Sequence, residues 1–249
     1  MDEAKRSNIE PAKSRVRVYA PKVSVRAYMA TLHLWSAQHA ARRCSEVEKE
    51  AAGSGQFNYE HMAYASSAVM ASVAFMEATI NETLQDLADS DPDEVSSRCE
   101  GISISTARVL RELWLPPGRE NAGFLEKSSI LEKYRVTLAA AGAKPLDTGA
   151  APYQSAKKLI ELRNDLVHFK PQWQGDDQKK HKMEASLRTE FAGSTIFPGS
   201  VSPWYPTMCL GAGCAAWAHR SATALVDEWR KRIGLVMDYR DDLRELPKP

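Results

Sequence analysis

Apolar residues recur at helical spacing through most of this chain. From Ser24 to about Ala52, Tyr28, Leu32, Trp35 and His39 fall three or four positions apart. Arg42, Arg43, Glu46, Glu48 and Lys49 follow, which predicts a long amphipathic helix stopped by Gly53, Ser54 and Gly55. A second helix is predicted from about Tyr59 to Leu87, with Val69, Val73, Met76, Ile80, Leu84 and Leu87 on one face. Its middle, Ala71 to Ala78, is almost free of long polar side chains, so it should pack on several neighbours at the centre of a bundle. Asp89, Ser90, Asp91 and Pro92 end it. Shorter helices are predicted over Ser105 to Trp114, Phe124 to Ala141 and Pro152 to Phe169, each closed by prolines or glycines, and a last strong one over Gly213 to Ile233. Strand-like alternation is confined to short pieces such as Val16 to Tyr19, and no fixed-period repeat stands out. The expected fold is all-α.

Between these helices the composition changes twice. Residues 1–22 hold Lys5, Arg6, Lys13, Arg15, Arg17 and Lys22 with Pro11 and Pro21, and read as a loose basic arm. Residues 170–207 carry Gly175, Gly193, Pro198, Gly199, Pro203 and Pro206 and read as a long loop insertion before the last helix. One domain over 23–240, followed by a tail over 241–249, accounts for the rest.

The 249 residues include 33 Lys and Arg against 32 Asp and Glu, with 43% hydrophobic and 26% charged residues. That balance excludes a disordered or collagen-like chain and gives no global electrostatic reason to bind nucleic acid or membrane, so charge matters only regionally. No window reaches the ~18–20 uninterrupted apolar residues of a membrane span, and no apolar leader opens the chain. A cytoplasmic protein with no membrane partner is expected. Cys44, Cys99, Cys209 and Cys214 are too few and too irregular for a disulfide framework, so free thiols are expected.

The segment Leu159 to His168 carries the chemistry. At about 100° per residue, Leu159, Ile160, Leu162, Leu166, Val167 and Phe169 form a broad apolar face with Arg163 in its middle and Asn164 at its edge. His168 stands one turn above Asn164, and Lys157 lies on the same strip. An arginine among core positions needs a partner or a polar cleft. Glu77, between Val73 and Ile80, is the internal candidate, with Asn81 one turn further. Pattern alone thus leaves two readings open: a structural Arg163–Glu77 ion pair beside a surface histidine, or a functional site.

Arg163-Asn164-Asp165-Leu166-Val167-His168 resembles the Arg, polar residue, three variable residues, His signature of HEPN domains. These are the helical bundles named for higher eukaryotes and prokaryotes nucleotide-binding proteins. The motif falls in the penultimate predicted helix and is followed at once by Lys170-Pro171. It is preceded by Phe75 to Glu82, which is similar to the first core helix of many HEPN proteins, where a Glu-x-x-x-Asn spacing such as Glu77 to Asn81 is common. The likeness covers about Tyr64 to Phe169, and Cys214 onward looks like the final helix. The resemblance implies an antiparallel HEPN-like bundle, here with an extra N-terminal helix and the 170–207 insertion. It also implies a metal-independent endoribonuclease without cofactors, active as a homodimer through the motif helix and often serving as a defence or toxin effector with an antitoxin or defence-system partner. The alternative is a non-catalytic adaptor or nucleotide-binding dimerisation module, as many family members are scaffolds.

Under that resemblance Arg163, Asn164 and His168 are the catalytic candidates and Glu77 and Asn81 support them. The residue types suit cleavage of RNA by its own 2′-hydroxyl. A histidine titrates near neutral pH and can serve as base or acid, and a guanidinium presents a fixed fork of donors to phosphate oxygens. Lys157, Lys170, Lys179, Lys180 and Lys182 are candidate RNA contacts, although Asp176, Asp177 and Glu184 dilute the cluster within the insertion, which also reads as a solvated loop. Tyr153, Trp173, Trp204 and Tyr205 either stack on splayed bases or anchor core and loops. Cys209, Cys214 and His219 lack the paired spacing of a zinc site, so no metal is expected. Gly211-Ala212-Gly213 lacks the Lys and Ser or Thr of a P-loop and reads as a helix start. His39 and His61 show no convergent partners and read as structural.

Overall fold

The apolar middle predicted for the second helix is the element on which the bundle is assembled. The computed structural model describes residues 25–115, 123–171, 173, 181–197, 199 and 204–244. The basic arm, the strand-like piece Val16 to Tyr19 and most of the 241–249 tail lie outside them. The described residues form α1 (Ala30–Glu50), α2 (Tyr59–Asp89), α3 (Ile104–Trp114), α4 (Phe124–Lys127), α5 (Ile130–Ala140), α6 (Tyr153–Val167), α7 (Glu184–Leu187), α8 (Ala212–Ile233) and α9 (Tyr239–Arg244), and no strand among them. α2 packs against α1, α3, α5, α6 and α8. It is the one described helix long and apolar enough to cross a membrane, and half of that stretch is buried inside the bundle, as in the core helix of a helical domain.

Capping side chains place the helix starts. Asn58, Ser103 and Ser129 accept hydrogen bonds from the backbone N–H groups of His61, Thr106 and Glu132 and so open α2, α3 and α5. The cap at Ser129 divides the helix predicted over Phe124 to Ala141 into α4 and α5. α1 starts at Ala30 rather than near Ser24 because its cap comes from another helix: Glu82 of α2 accepts from the N–H of Met29 at 2.6 Å and of Ala30 at 2.8 Å. One turn on, the buried Asp86 takes Arg26 and Tyr28, both at 2.8 Å, and Arg98 at 3.3 Å. The chain ahead of α1 is therefore bound to α2 in a non-helical form. At its other end α8 stops on Gly234, whose left-handed φ of 90° a glycine adopts without steric cost, and which packs tightly against Gly101.

The stretch read as a loop insertion holds α7 and contributes to the core. Met183, Leu187, Phe191, Ile196, Trp204, Tyr205 and Met208 are buried. Glu190 ties it down on two sides, accepting from Lys158 of α6 at 2.5 Å and from the indole of Trp217 of α8 at 3.0 Å.

A buried carboxylate holds the far end of this stretch. Glu48, near the end of α1 and 6% exposed, accepts from His61 Nε2 at 2.6 Å, from the N–H and hydroxyl of Thr195 at 2.9 and 3.1 Å, and from the N–H of Ala212 at 2.7 Å. His61 thus has a partner 13 residues back that no local pattern reveals. Burial alone would raise the Glu48 pKa, but the bonds from His61, Ala212 and Thr195 outweigh it and hold the carboxyl down at about 2. Between pH ~4.5 and ~2 the unfolded chain binds the proton that the folded chain refuses, so stability falls as pH drops through that window. The depression corresponds to a loss on the order of 3 kcal/mol. Urea midpoints measured from pH 6 down to pH 2 are expected to show this loss in the wild type. Glu48→Gln is expected to be less stable at neutral pH and to have a flatter profile across the window.

Candidate active site

α6 carries the motif and packs between α2 and α8. Ala156, Leu159 and Leu162 form its buried stripe. Lys157, Asn164 and His168 are exposed, on the single strip that the helical wheel gives them. The helix ends at Val167, and His168 caps it, its N–H bonded to the Asn164 carbonyl at 2.9 Å. The imidazole therefore leaves from the last turn, one turn above the Asn164 amide. Val167 and Phe169, at 56% and 43% exposed, flank it with apolar surface, and Trp173 beyond them is 93% exposed.

Arg163 is half-buried at the border of this strip. Among the described residues it forms no ion pair or hydrogen bond, and its Nε is buried without an acceptor. The Arg163–Glu77 ion pair of the structural alternative is not formed. Glu77 acts instead on Lys133 of α5, a buried lysine whose Nζ donates to Asn81 Oδ1 at 2.8 Å and lies 5.4 Å from the centre of the Trp114 ring. Burial lowers the Lys133 pKa, and the charges of Glu77 and Glu126 oppose that shift. Glu77 and Asn81 thus serve a lysine that the sequence pattern hides, since Lys133 occupies an apolar position of α5.

The third motif position has a larger role than its spacing suggests. Asp165 Oδ2 accepts from the hydroxyl of Tyr205 at 2.6 Å and lies 3.3 Å from His181 Nε2, while Lys182 Nζ is 3.6 Å from Oδ1. His181 stacks on the Tyr205 ring with centroids 4.1 Å apart, and Phe169, next to His168, lies 6.4 Å from the same ring. Tyr205 therefore holds α6 at Asp165 and lies near Phe169, just past the helix end. Burial and the Asp165 charge push its phenol far above the ordinary range, so it stays a donor at any physiological pH. Tyr205 and Trp204 are buried and do not serve as free stacking platforms, unlike Trp173.

Of the predicted RNA contacts, Lys157 and Lys170 are exposed and Lys182 is 78% exposed beside Asp165, while Lys179 and Lys180 lie outside the described residues. Cys44, Glu48 and His61 bring ligand-type atoms within 4.8 Å of one another. Both Glu48 oxygens are already saturated by four donors, so a cation there would have to displace the bonds that start α8. All four cysteines are buried free thiols; burial pushes Cys44 up to about 12 and Cys99 to about 11, which keeps them protonated and unreactive. His219 Nε2 is buried without a partner, and its pKa is lowered by burial and by Arg220 and Arg240.

No family model, no curated protein and no solved structure matches the chain. The functional reading accordingly stands on the motif and its surroundings.

The two ways of holding side chains here predict stability effects of different size. Arg163→Ala loses packing of the arginine stem but also removes a buried N–H without an acceptor, and is expected to change unfolding free energy by about 1 kcal/mol or less. Tyr205→Phe strips a charged acceptor of its shortest bond and is expected to cost about 1–2 kcal/mol. Urea unfolding of both variants beside the wild type checks this; an Arg163→Ala loss much larger than that of Tyr205→Phe would show an internal partner for the guanidinium.

Proposed function

We propose that this protein is a metal-independent endoribonuclease of the HEPN kind, in which Arg163, Asn164 and His168 of two copies line one cleft and cleave RNA. One observation carries the reading: among the described residues the half-buried guanidinium of Arg163 has no partner, while the Asn164 amide and the His168 imidazole stand exposed beside it. A core-facing arginine with an orphaned N–H reduces stability, and a ligand phosphate is a partner of the right charge and geometry.

In the proposed reaction His168 accepts the proton of a ribose 2′-hydroxyl, whose oxygen then attacks the adjacent phosphorus. The bond to the 5′-oxygen breaks, and that oxygen takes a proton from the partner subunit's His168, leaving a 2′,3′-cyclic phosphate and a 5′-hydroxyl. Arg163 binds the phosphate oxygens, and its contact strengthens as they gain charge in the pentavalent state. Asn164, one turn below, orients the imidazole or the phosphate. The exposed Val167 and Phe169 beside His168 suit the apposition of a second copy. A role as the effector of a defence or toxin system accords with such an activity.

Wild type and His168→Ala, incubated with a mixed RNA pool containing tRNA in EDTA, test the proposal. The wild type is expected to cut and to leave 2′,3′-cyclic or 3′-phosphate ends, with cleavage reduced at least about a hundredfold in the variant at unchanged helicity. Ends carrying a 3′-hydroxyl, or equal cutting by both proteins, would overturn the mechanism. An uncut pool would favour the adaptor reading.

A further inference from the structure

Next to the motif strip lies an open groove between α5 and α6 of about 520 Å³. Ser129, which caps α5, and Glu132 and Arg135 of α5 line it on one side, and Thr148, Tyr153 and Lys157 line it from the start of α6 and the chain before it. We propose that this groove binds the RNA strand leading into the Arg163–His168 site, a proposal that rests on the reading above for what happens to the strand once bound.

Three observations carry it. The groove lies in line with the motif strip: at 100° per residue Tyr153 and Lys157, which line it, and Asn164 and the capping His168 fall within about 60° of one another along α6. At 1.5 Å per residue, Lys157 sits about 16 Å along the helix from His168. A polymer crossing His168 in that direction therefore runs into the groove. The groove is also cationic on balance, with Arg135 and Lys157 against Glu132. Both cations are exposed, and among the described residues neither makes an ion pair or hydrogen bond, so both are available to phosphates. Finally, the hydroxyls of Ser129 and Thr148 and the ring of Tyr153 line the same volume. Hydroxyls that meet sugar and phosphate oxygens, and an aromatic face that meets a base, are the components of single-strand binding.

The chemistry favours a flexible single strand over a duplex. Duplex RNA presents its phosphates on a rigid surface, whereas a groove of this volume beside a helix face admits a splayed nucleotide. Glu132 adds an acceptor that can take a base amino group, so the groove can contribute to the choice of sequence as well as to affinity.

The test reads binding without cutting. The full chain carrying His168→Ala is titrated with a fluorescently labelled, mixed-sequence single-stranded RNA of roughly 12 nucleotides in EDTA at several salt concentrations. Adding Arg135→Ala and Lys157→Ala together is expected to weaken binding and to make the slope of log affinity against log salt shallower by about 1.4, at about 0.7 per phosphate contact on a single strand. Lys49→Ala with Lys231→Ala removes the same charge from exposed positions outside the groove and is expected to leave the slope unchanged. An unchanged slope in the groove variant, an equal change in the control pair, or no RNA binding by the His168→Ala protein would overturn the proposal. If the groove variant flattens the slope while the wild type leaves RNA uncut, the groove stands and the nuclease fails, so the two readings fall separately.

Discussion

The position of α8, and with it the wall behind the motif helix, depends on one buried carboxylate. Glu48 gathers donors from α2, from the stretch between α7 and α8, and from the first turn of α8. A charge removed from water is tolerated only when its lone pairs are filled, so the four donors are required wherever the carboxylate is buried. That requirement joins segments up to 164 residues apart in sequence. It fixes where α8 begins and holds Thr195 and Ala212 against the end of α1.

The same rule operates along α2. Glu82 caps α1, Asp86 collects the chain ahead of α1, and Gln85 accepts from the Trp114 indole at 2.8 Å. On the opposite side, the Tyr134 hydroxyl donates to the Met76 carbonyl at 2.7 Å, and the Trp229 indole donates to Thr137. Apolar contact drives the packing of α2, while these directed bonds set which helix lies on which side and in which register.

Arg163 is the exception to that pattern. Several buried or half-buried polar groups around the motif are paired: Asp165 by Tyr205, His181 and Lys182, Lys158 by Glu190, and Lys133 by Asn81. Beside these pairs, a half-buried guanidinium with an orphaned Nε marks a place where stability is lower than it could be, as at sites whose partner is a ligand. The Tyr205 hydroxyl holds Asp165 at 2.6 Å, three residues before the exposed His168 at the point where the helix stops.

The sequence by itself determined the helices and the strip of motif residues. Apolar periodicity and the local caps and breakers, Asn58, Ser103 and Gly234 among them, depend on neighbours three or four positions away. The face shared by Lys157, Asn164 and His168 follows from helical geometry alone. Whatever depended on long-range pairing lay beyond that reach. The start of α1 waits on Glu82, 52 and 53 residues away in sequence. The stretch over 170–207 reads as a loop because its glycines and prolines forbid long helices, yet Phe191, Trp204 and Tyr205 find a core. The choice of Lys133 over Arg163 for Glu77, and of Tyr205 and His181 for Asp165, was made by the tertiary structure. Local pattern reports which residues need a partner, and only the packed chain brings one within hydrogen-bonding distance.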